Sequence, residues 1–256
     1  MKAVILAGGL GTRLSEVTET VPKPMVEIGG KPIIWHILKM YSHFGINDFI
    51  ICLGYKGYVI KEFFSNYFLH TSDVTFDMSD NSMKVHHNTA EPWKVTLVDT
   101  GSSTLTGGRL KRIQPYVEGD TFCMTYGDGL SDVDIGQTIK FHNSHERLVS
   151  VTAVNQPGRF GVLVTQDNMV TEVREKVVSN ESLINGGFFV MDSEALDFIA
   201  GDQTSWEQEP MQDLALAGQL ALFQHDGFWQ PLDTLREKHL LEALWQSGNP
   251  PWRKWR

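Results

Sequence analysis

The stretch "KAVILAGGLGTRL", residues 2 to 14, decides the fold. Lys2 is followed by five apolar residues, Ala3 to Ala7, without polar alternation, which reads as a strand buried on both faces, as in a parallel sheet. Three glycines, Gly8, Gly9 and Gly11, come next, and Thr12 and Arg13 close the run. Glycine lets a backbone come close to a ligand and take positive φ, and free N–H groups beside an arginine suit phosphate. Two familiar phosphate grips are excluded. The P-loop needs a GK[ST] ending, and the dinucleotide fingerprint would need glycine where Leu14 stands.

Working outward, "KPIIWHILKMYSHFG" (31–45) reads as an amphipathic helix with Pro32 near its start and Gly45 past its end. "DFIICLG" (48–54) is a second buried strand and "KGYVIKEFFSNYF" (56–68) a second helix. Strand, loop, helix, strand, helix at this spacing predicts a parallel sheet with right-handed crossovers. The glycine loop then falls at the carboxyl end of the first strand, where open α/β sheets bind ligands. The pattern weakens over 69–94, for which two readings stand: an insertion near the site, or a contact to another subunit. Further strands are expected at 95–101, at 121–129 running into Asp128, at 148–154 and at 184–192, with a hairpin between the last two. The expectation is one α/β domain over 1–256 with a mixed, mostly parallel sheet.

Composition narrows the function. A formal charge of −9 argues against nucleic acid as the main partner, yet a small anion needs only a local cluster of cations and N–H groups. Cys52 and Cys123 each sit inside an apolar run, which favours a reduced, cytoplasmic protein over a disulfide framework. No stretch is long and apolar enough to cross a membrane. His142 with His145, and His86 with His87, lack nearby ligands that would complete a zinc set and read as surface histidines. The tail tryptophans Trp245, Trp252 and Trp255 read as packing onto the body or onto a neighbouring subunit, so a homo-oligomer is expected.

"LAGGLGTRL" followed by "PKPM" (22–25) resembles the signature of the sugar-1-phosphate nucleotidyltransferases. The match continues through "KPIIWHIL", "GDG", "EK", "NGGFFV" and "FWQPLDT", nearly the whole chain. Within that family, "EPWKVTLVDTG", "TGGRLKR", "PGRFG", "WEQEP" and "GFWQPLDTLREK" look most like the branch that makes CDP-glucose. The resemblance implies a Rossmann-like three-layer sandwich, CTP and glucose 1-phosphate as substrates, Mg²⁺ as cofactor, and a place in bacterial surface-sugar (O-antigen) synthesis.

The residues make chemical sense of that implication. When one anion attacks the α-phosphorus of a nucleoside triphosphate, the barrier is largely charge repulsion, so cations and in-line positioning carry catalysis. Arg13 suits the β and γ phosphates, and Lys23, held between Pro22 and Pro24, the α-phosphate. By resemblance, Asp128 and Asp233 are the metal ligands, hard carboxylates of the kind Mg²⁺ takes. By resemblance too, Leu6, Ala7, Gly8, Gly9, Gly11, Thr12, Ser103, Gly108 and Arg109 line the nucleotide, although Arg109 also reads as an ordinary helix residue. Lys176 clamps the sugar phosphate, and Glu175, Asn185 and Gly186 take the glucose hydroxyls. Relatives usually carry proline after that lysine, whereas this chain has Val177.

Overall fold

The computed structural model describes residues 1–11, 14, 18, 20–155, 162–166, 169–174 and 183–255. Seven strands form the main sheet: β1 (Lys2–Leu6), β2 (Asp48–Leu53), β3 (Lys94–Asp99), β4 (Thr121–Tyr126), β5 (Val149–Asn155), β6 (Leu183–Asp192) and β7 (Leu220–His225). Their spatial order is β7-β5-β6-β4-β1-β2-β3. Pairings β1–β2, β1–β4, β2–β3 and β5–β7 are parallel, while β6 runs antiparallel to both β4 and β5. The mixed, mostly parallel sheet expected from the sequence is therefore present.

Burial on both faces follows from the apolar runs. Ala3 and Ile5 of β1 face a core with Ile33, Ile34, Ile37 and Tyr41 of helix α1 (Ile33–His43). Val4 and Leu6 point the other way, toward Leu110, Ile113 and Trp206. The two cores sandwich the sheet between helical layers. Successive strands β1, β2 and β3 step outward in one direction before the chain returns to the far side of β1 as β4. The order thus reverses at β1, and a crevice opens at the carboxyl ends of β1 and β4.

The second helix forms as expected, α2 (Gly57–His70), and the weak segment after it holds an antiparallel hairpin, Ser72–Asp77 with Ser82–Asn88, apart from the main sheet. Phe76, Met78 and Met83 on it are exposed. No described helix is long and apolar enough to cross a membrane, and both cysteines are buried free thiols. The hairpin expected between β5 and β6 forms from Val162–Gln166 and Met169–Arg174.

One expectation needs correction. His142 is not a surface histidine: it is 3% exposed, its Nδ1 lies 3.0 Å from Ser150 Oγ, and its Nε2 lies 3.4 Å from Asp192 Oδ1. It sits at the end of helix α3 (Ile135–His142), which packs on β5 and β6, so its ring turns to the sheet. His145 is half-buried against the same Ser150 hydroxyl, while His86 and His87 are exposed as expected.

The tail packs onto the body. Trp252 is fully buried, stacks near Trp245, and its indole N–H donates to His36 Nδ1 at 3.4 Å. Because that nitrogen accepts, Nε2 carries the hydrogen and donates to the Ile28 carbonyl at 2.9 Å. Burial pushes the His36 pKa down from 6.5 to about 4, against smaller raising effects from the Ile28 and Lys31 carbonyls and the Glu242 charge. The unfolded chain then takes up a proton that the folded chain refuses. Stability from this group is complete above pH 6.5 and declines as the pH falls toward 4. Urea unfolding should show about 2 kcal/mol lost through His36 between pH 7.5 and 5. His36→Gln, less stable at pH 7.5, should lack that portion of the pH dependence.

Candidate functional site

The crevice holds a cavity of about 460 Å³. Leu6 to Gly11 line it after β1, Tyr126, Gly127 and Asp128 after β4, Ser102 to Thr106 after β3, and Lys23, Pro24 and Arg109 from neighbouring segments. Every contributing strand presents its carboxyl end.

Three polar side chains distant in sequence meet at Lys23. Pro22 and Pro24 fix the backbone around it, in a short 3₁₀ turn Lys23–Met25, and the residue is only 8% exposed. Its ammonium donates to Asp128 Oδ2 at 2.6 Å and to Asp233 Oδ1 at 2.7 Å. Burial alone would lower the Lys23 pKa. The charge of Asp128 and hydrogen bonds to both carboxylates outweigh burial and hold it above the ordinary 10.5. Lys23 therefore stays cationic through neutral pH.

The two carboxylates arrive together because their segments pair. Gly129–Ser131 forms a short antiparallel ladder with Trp229–Pro231, closed by a Leu232 N–H to Asp128 carbonyl bond of 2.8 Å. Asp233 lies one residue before Thr234, the N-cap of the helix Leu235–Gln246, where Thr234 and Glu237 form a capping box. The Glu237 carboxylate also accepts from the Asp233 N–H at 2.6 Å. The capping box thus fixes the carboxylate's backbone.

Arg109, half expected to be an ordinary helix residue, is 4% exposed. Its guanidinium donates to the carbonyls of Gly8, Leu53 and Gly101 and to the Thr100 hydroxyl, at 2.7 to 3.0 Å. One side chain ties the loops that follow β1 and β3 to the end of β2. Gly8 and Gly54 are glycines for the same reason: a Cβ at Gly8 would lie 2.2 Å from the guanidinium, and one at Gly54 2.5 Å. Gly9, by contrast, has open space beside it, where its backbone remains free to approach a ligand.

Of the residues expected at the site, Leu6, Ala7, Gly8, Gly9, Gly11, Lys23, Ser103, Arg109 and Asp128 line the cavity, and Asp233 joins through Lys23. Gly108 does not line it. A Cβ there would strike the Asp202 backbone at 2.5 Å, so this glycine serves helix packing. Asn185 and Gly186 do not line it either: both lie within β6, where Asn185 pairs with Ala153 of β5, its Oδ1 accepts from the Gly187 N–H at 2.8 Å, and the Gly186 carbonyl accepts from Trp229 Nε1 at 2.6 Å. Thr12, Arg13, Glu175, Lys176 and Val177 lie outside the described residues. Sequence reasoning missed Tyr126 and Thr106, which line the cavity, and Glu207, which binds both. "WEQEP" was the available signal for Glu207.

A doubly wound sheet, a glycine loop at its switch point, and an ammonium shared by two carboxylates define a protein that handles phosphorylated nucleotides at strand ends. The chain belongs to the nucleotidyl transferase family, whose model matches residues 2–226. It is 61% identical to the glucose-1-phosphate cytidylyltransferase of Salmonella typhi over 256 residues, the whole of both chains. It is 41% identical, again over the whole of both, to a probable glucose-1-phosphate cytidylyltransferase of Bacillus subtilis. In fold it is similar to a putative glucose-1-phosphate thymidylyltransferase from Bacillus anthracis, with TM-score 0.68 and 21% identity over 95% of this chain and 94% of that one. HddC from Yersinia pseudotuberculosis gives the same TM-score at 23% identity, covering 95% and 99%.

Arg109 and Gly8 should act as one unit. Arg109→Met leaves the Gly101 carbonyl without this charged donor, and Gly8→Ala displaces the same guanidinium. Each is expected to cost about 3 kcal/mol in urea unfolding, and the double variant should be no worse than the worse single one.

Proposed function

We propose that the chain makes CDP-glucose and pyrophosphate from CTP and glucose 1-phosphate. The observation that carries this reading is the convergence of Lys23, Asp128 and Asp233 below the glycine loop. The full-length likeness to glucose-1-phosphate cytidylyltransferases supports the choice of substrates.

In the reaction, a phosphate oxygen of glucose 1-phosphate attacks the α-phosphorus of CTP. The new P–O bond forms as the bond to pyrophosphate breaks, with no enzyme-bound intermediate. Backbone groups of Gly8, Gly9 and Gly11 approach the nucleotide, and Ser103 and Arg109 flank its base and ribose. Lys23, cationic throughout the working pH range, supplies charge at the α-phosphate rather than a proton. Arg13 takes the β and γ phosphates, Lys176 the sugar phosphate, and Glu175, Asn185 and Gly186 the glucose hydroxyls.

Asp128 and Asp233 fit a divalent ion, since their oxygens already converge on one cationic centre. Among the described residues no group of three or more His, Cys, Asp or Glu could hold a metal, so phosphate oxygens and water would complete the shell. That division suits Mg²⁺. Bound there, Mg²⁺ would draw negative charge off the phosphates. The same reading makes the chain a cytoplasmic homo-oligomer serving surface-sugar synthesis, with the exposed hairpin as a subunit contact.

Pyrophosphate release with glucose 1-phosphate should be faster with CTP than with UTP, dTTP, ATP or GTP, and EDTA should abolish it until Mg²⁺ is restored. Preference for UTP or dTTP would move the chain to another branch of the family. Lys23→Met should lower turnover by about 100-fold or more while the circular dichroism spectrum is retained.

A further inference from the structure

The two carboxylates that meet at Lys23 flank a ladder only three residue pairs long. Gly129–Ser131 and Trp229–Pro231 form a two-stranded sheet apart from the main one, so no neighbouring strand fixes their register. Asp128 and Asp233 stand at one end of it, where the Leu232 N–H donates to the Asp128 carbonyl at 2.8 Å. Along its length, Leu130 is buried and the Trp229 indole fastens its own strand to the Gly186 carbonyl.

The other end is closed by side chains that the reaction described above does not use. The Ser131 hydroxyl, on a residue 1% exposed, donates across the ladder to the Phe228 carbonyl at 2.8 Å and accepts from the Val133 N–H at 3.1 Å. His225, the last residue of β7, brings its Nε2 to 3.3 Å from both that hydroxyl and that carbonyl, and to 3.0 Å from Asp132 Oδ1. A carbonyl and a carboxylate only accept, so Nε2 carries the hydrogen. Asp132 Oδ1 is buried and makes no hydrogen bond among the described residues, so the imidazole edge answers it by electrostatic contact, while Lys254 Nζ approaches the other oxygen at 3.5 Å. Gly227 leaves the pair its room: a Cβ there would lie 2.4 Å from Asp132 Oδ1 and 2.6 Å from His225 Cε1.

We infer that His225 and Ser131 are positioning residues for the divalent ion: they pin the far end of the ladder and, through its register, set the spacing of Asp128 and Asp233. This rests on the reading of those two carboxylates as ligands of Mg²⁺. Neither His225 nor Ser131 lines the cavity, so their influence on the ion passes through the ladder. The Asp132 N–H also donates to the Phe228 carbonyl at 3.1 Å, a backbone bond that side-chain changes at these two positions leave in place. Such changes therefore loosen the ladder rather than abolish it.

The test is calorimetric titration of the full-length protein with CTP, once in Mg²⁺ and once in EDTA. In His225→Leu and in Ser131→Ala the Kd in Mg²⁺ should rise about 3- to 10-fold, the range that one lost hydrogen bond supplies, while the Kd in EDTA stays within about twofold of wild type. His225→Gln, whose amide N–H stands in for Nε2–H, should return the Mg²⁺ value to within about twofold of wild type. A merely structural role moves both Kd values together or moves neither, and either result overturns the inference. So does a His225→Gln no better than His225→Leu. Asp233→Asn should erase the difference between Mg²⁺ and EDTA; if the difference persists there, or is absent in wild type, the metal reading of Asp128 and Asp233 falls and this inference with it. Ser131→Ala removes a single hydroxyl, so it decides the matter even if His225→Leu fails to fold.

Discussion

A single buried ammonium holds together three pieces of chain that are over a hundred residues apart. Lys23 follows the glycine loop, Asp128 ends the run after β4, and Asp233 precedes the helix Leu235–Gln246; each contact to the lysine is 2.7 Å or shorter. A buried charge with one partner removed is costly, so none of these segments can drift without stranding the others. On the reading proposed above, the same arrangement serves nucleotidyl transfer, with cation and carboxylates gathered at the carboxyl edge of the sheet.

In the same cavity, the glycine loop is shaped as much by Arg109 as by any ligand. Backbone carbonyls left in a buried crevice would be costly, and the guanidinium satisfies those of Gly8, Leu53 and Gly101 at once. The arginine needs room to pass, and Gly8 and Gly54 give it. Gly9 is the glycine whose surroundings stay open. Neighbouring glycines in one motif thus answer to different constraints, one to a side chain of the protein and one to the space a ligand would enter.

The fold was legible where apolar runs are unbroken, because β1, β2 and β4 are buried on both faces and the helices between them follow helical spacing. Lys23, Asp128 and Asp233 were legible as chemistry through proline, glycine and a resembling motif; that one ammonium would join them was not, since pairing of Gly129–Ser131 with Trp229–Pro231 is a long-range event without local signature. Arg109 was ambiguous for a related reason: its partners are carbonyls, which any sequence has. His142 was misplaced because a helix-end histidine looks solvated until the sheet beneath it is known. Glu207 went unnoticed because an acidic residue in a polar loop has no periodicity to mark it.

The formal charge of −9 bears on ligand choice through distance. At physiological ionic strength charges are screened over about 8 Å, so a bound phosphate responds to the groups within that reach rather than to the molecule's total. A nucleic acid strand extends across many such lengths and would meet the average, repulsive surface along most of its path. A nucleotide fits inside one. On the reading proposed above, its phosphates meet the glycine-loop N–H groups, Lys23 and the ion that Asp128 and Asp233 would hold before the wider acidic surface matters. Acidic composition and anion chemistry are therefore compatible where cationic side chains lie within that reach, as Lys23 and Arg109 do at the switch point of this sheet.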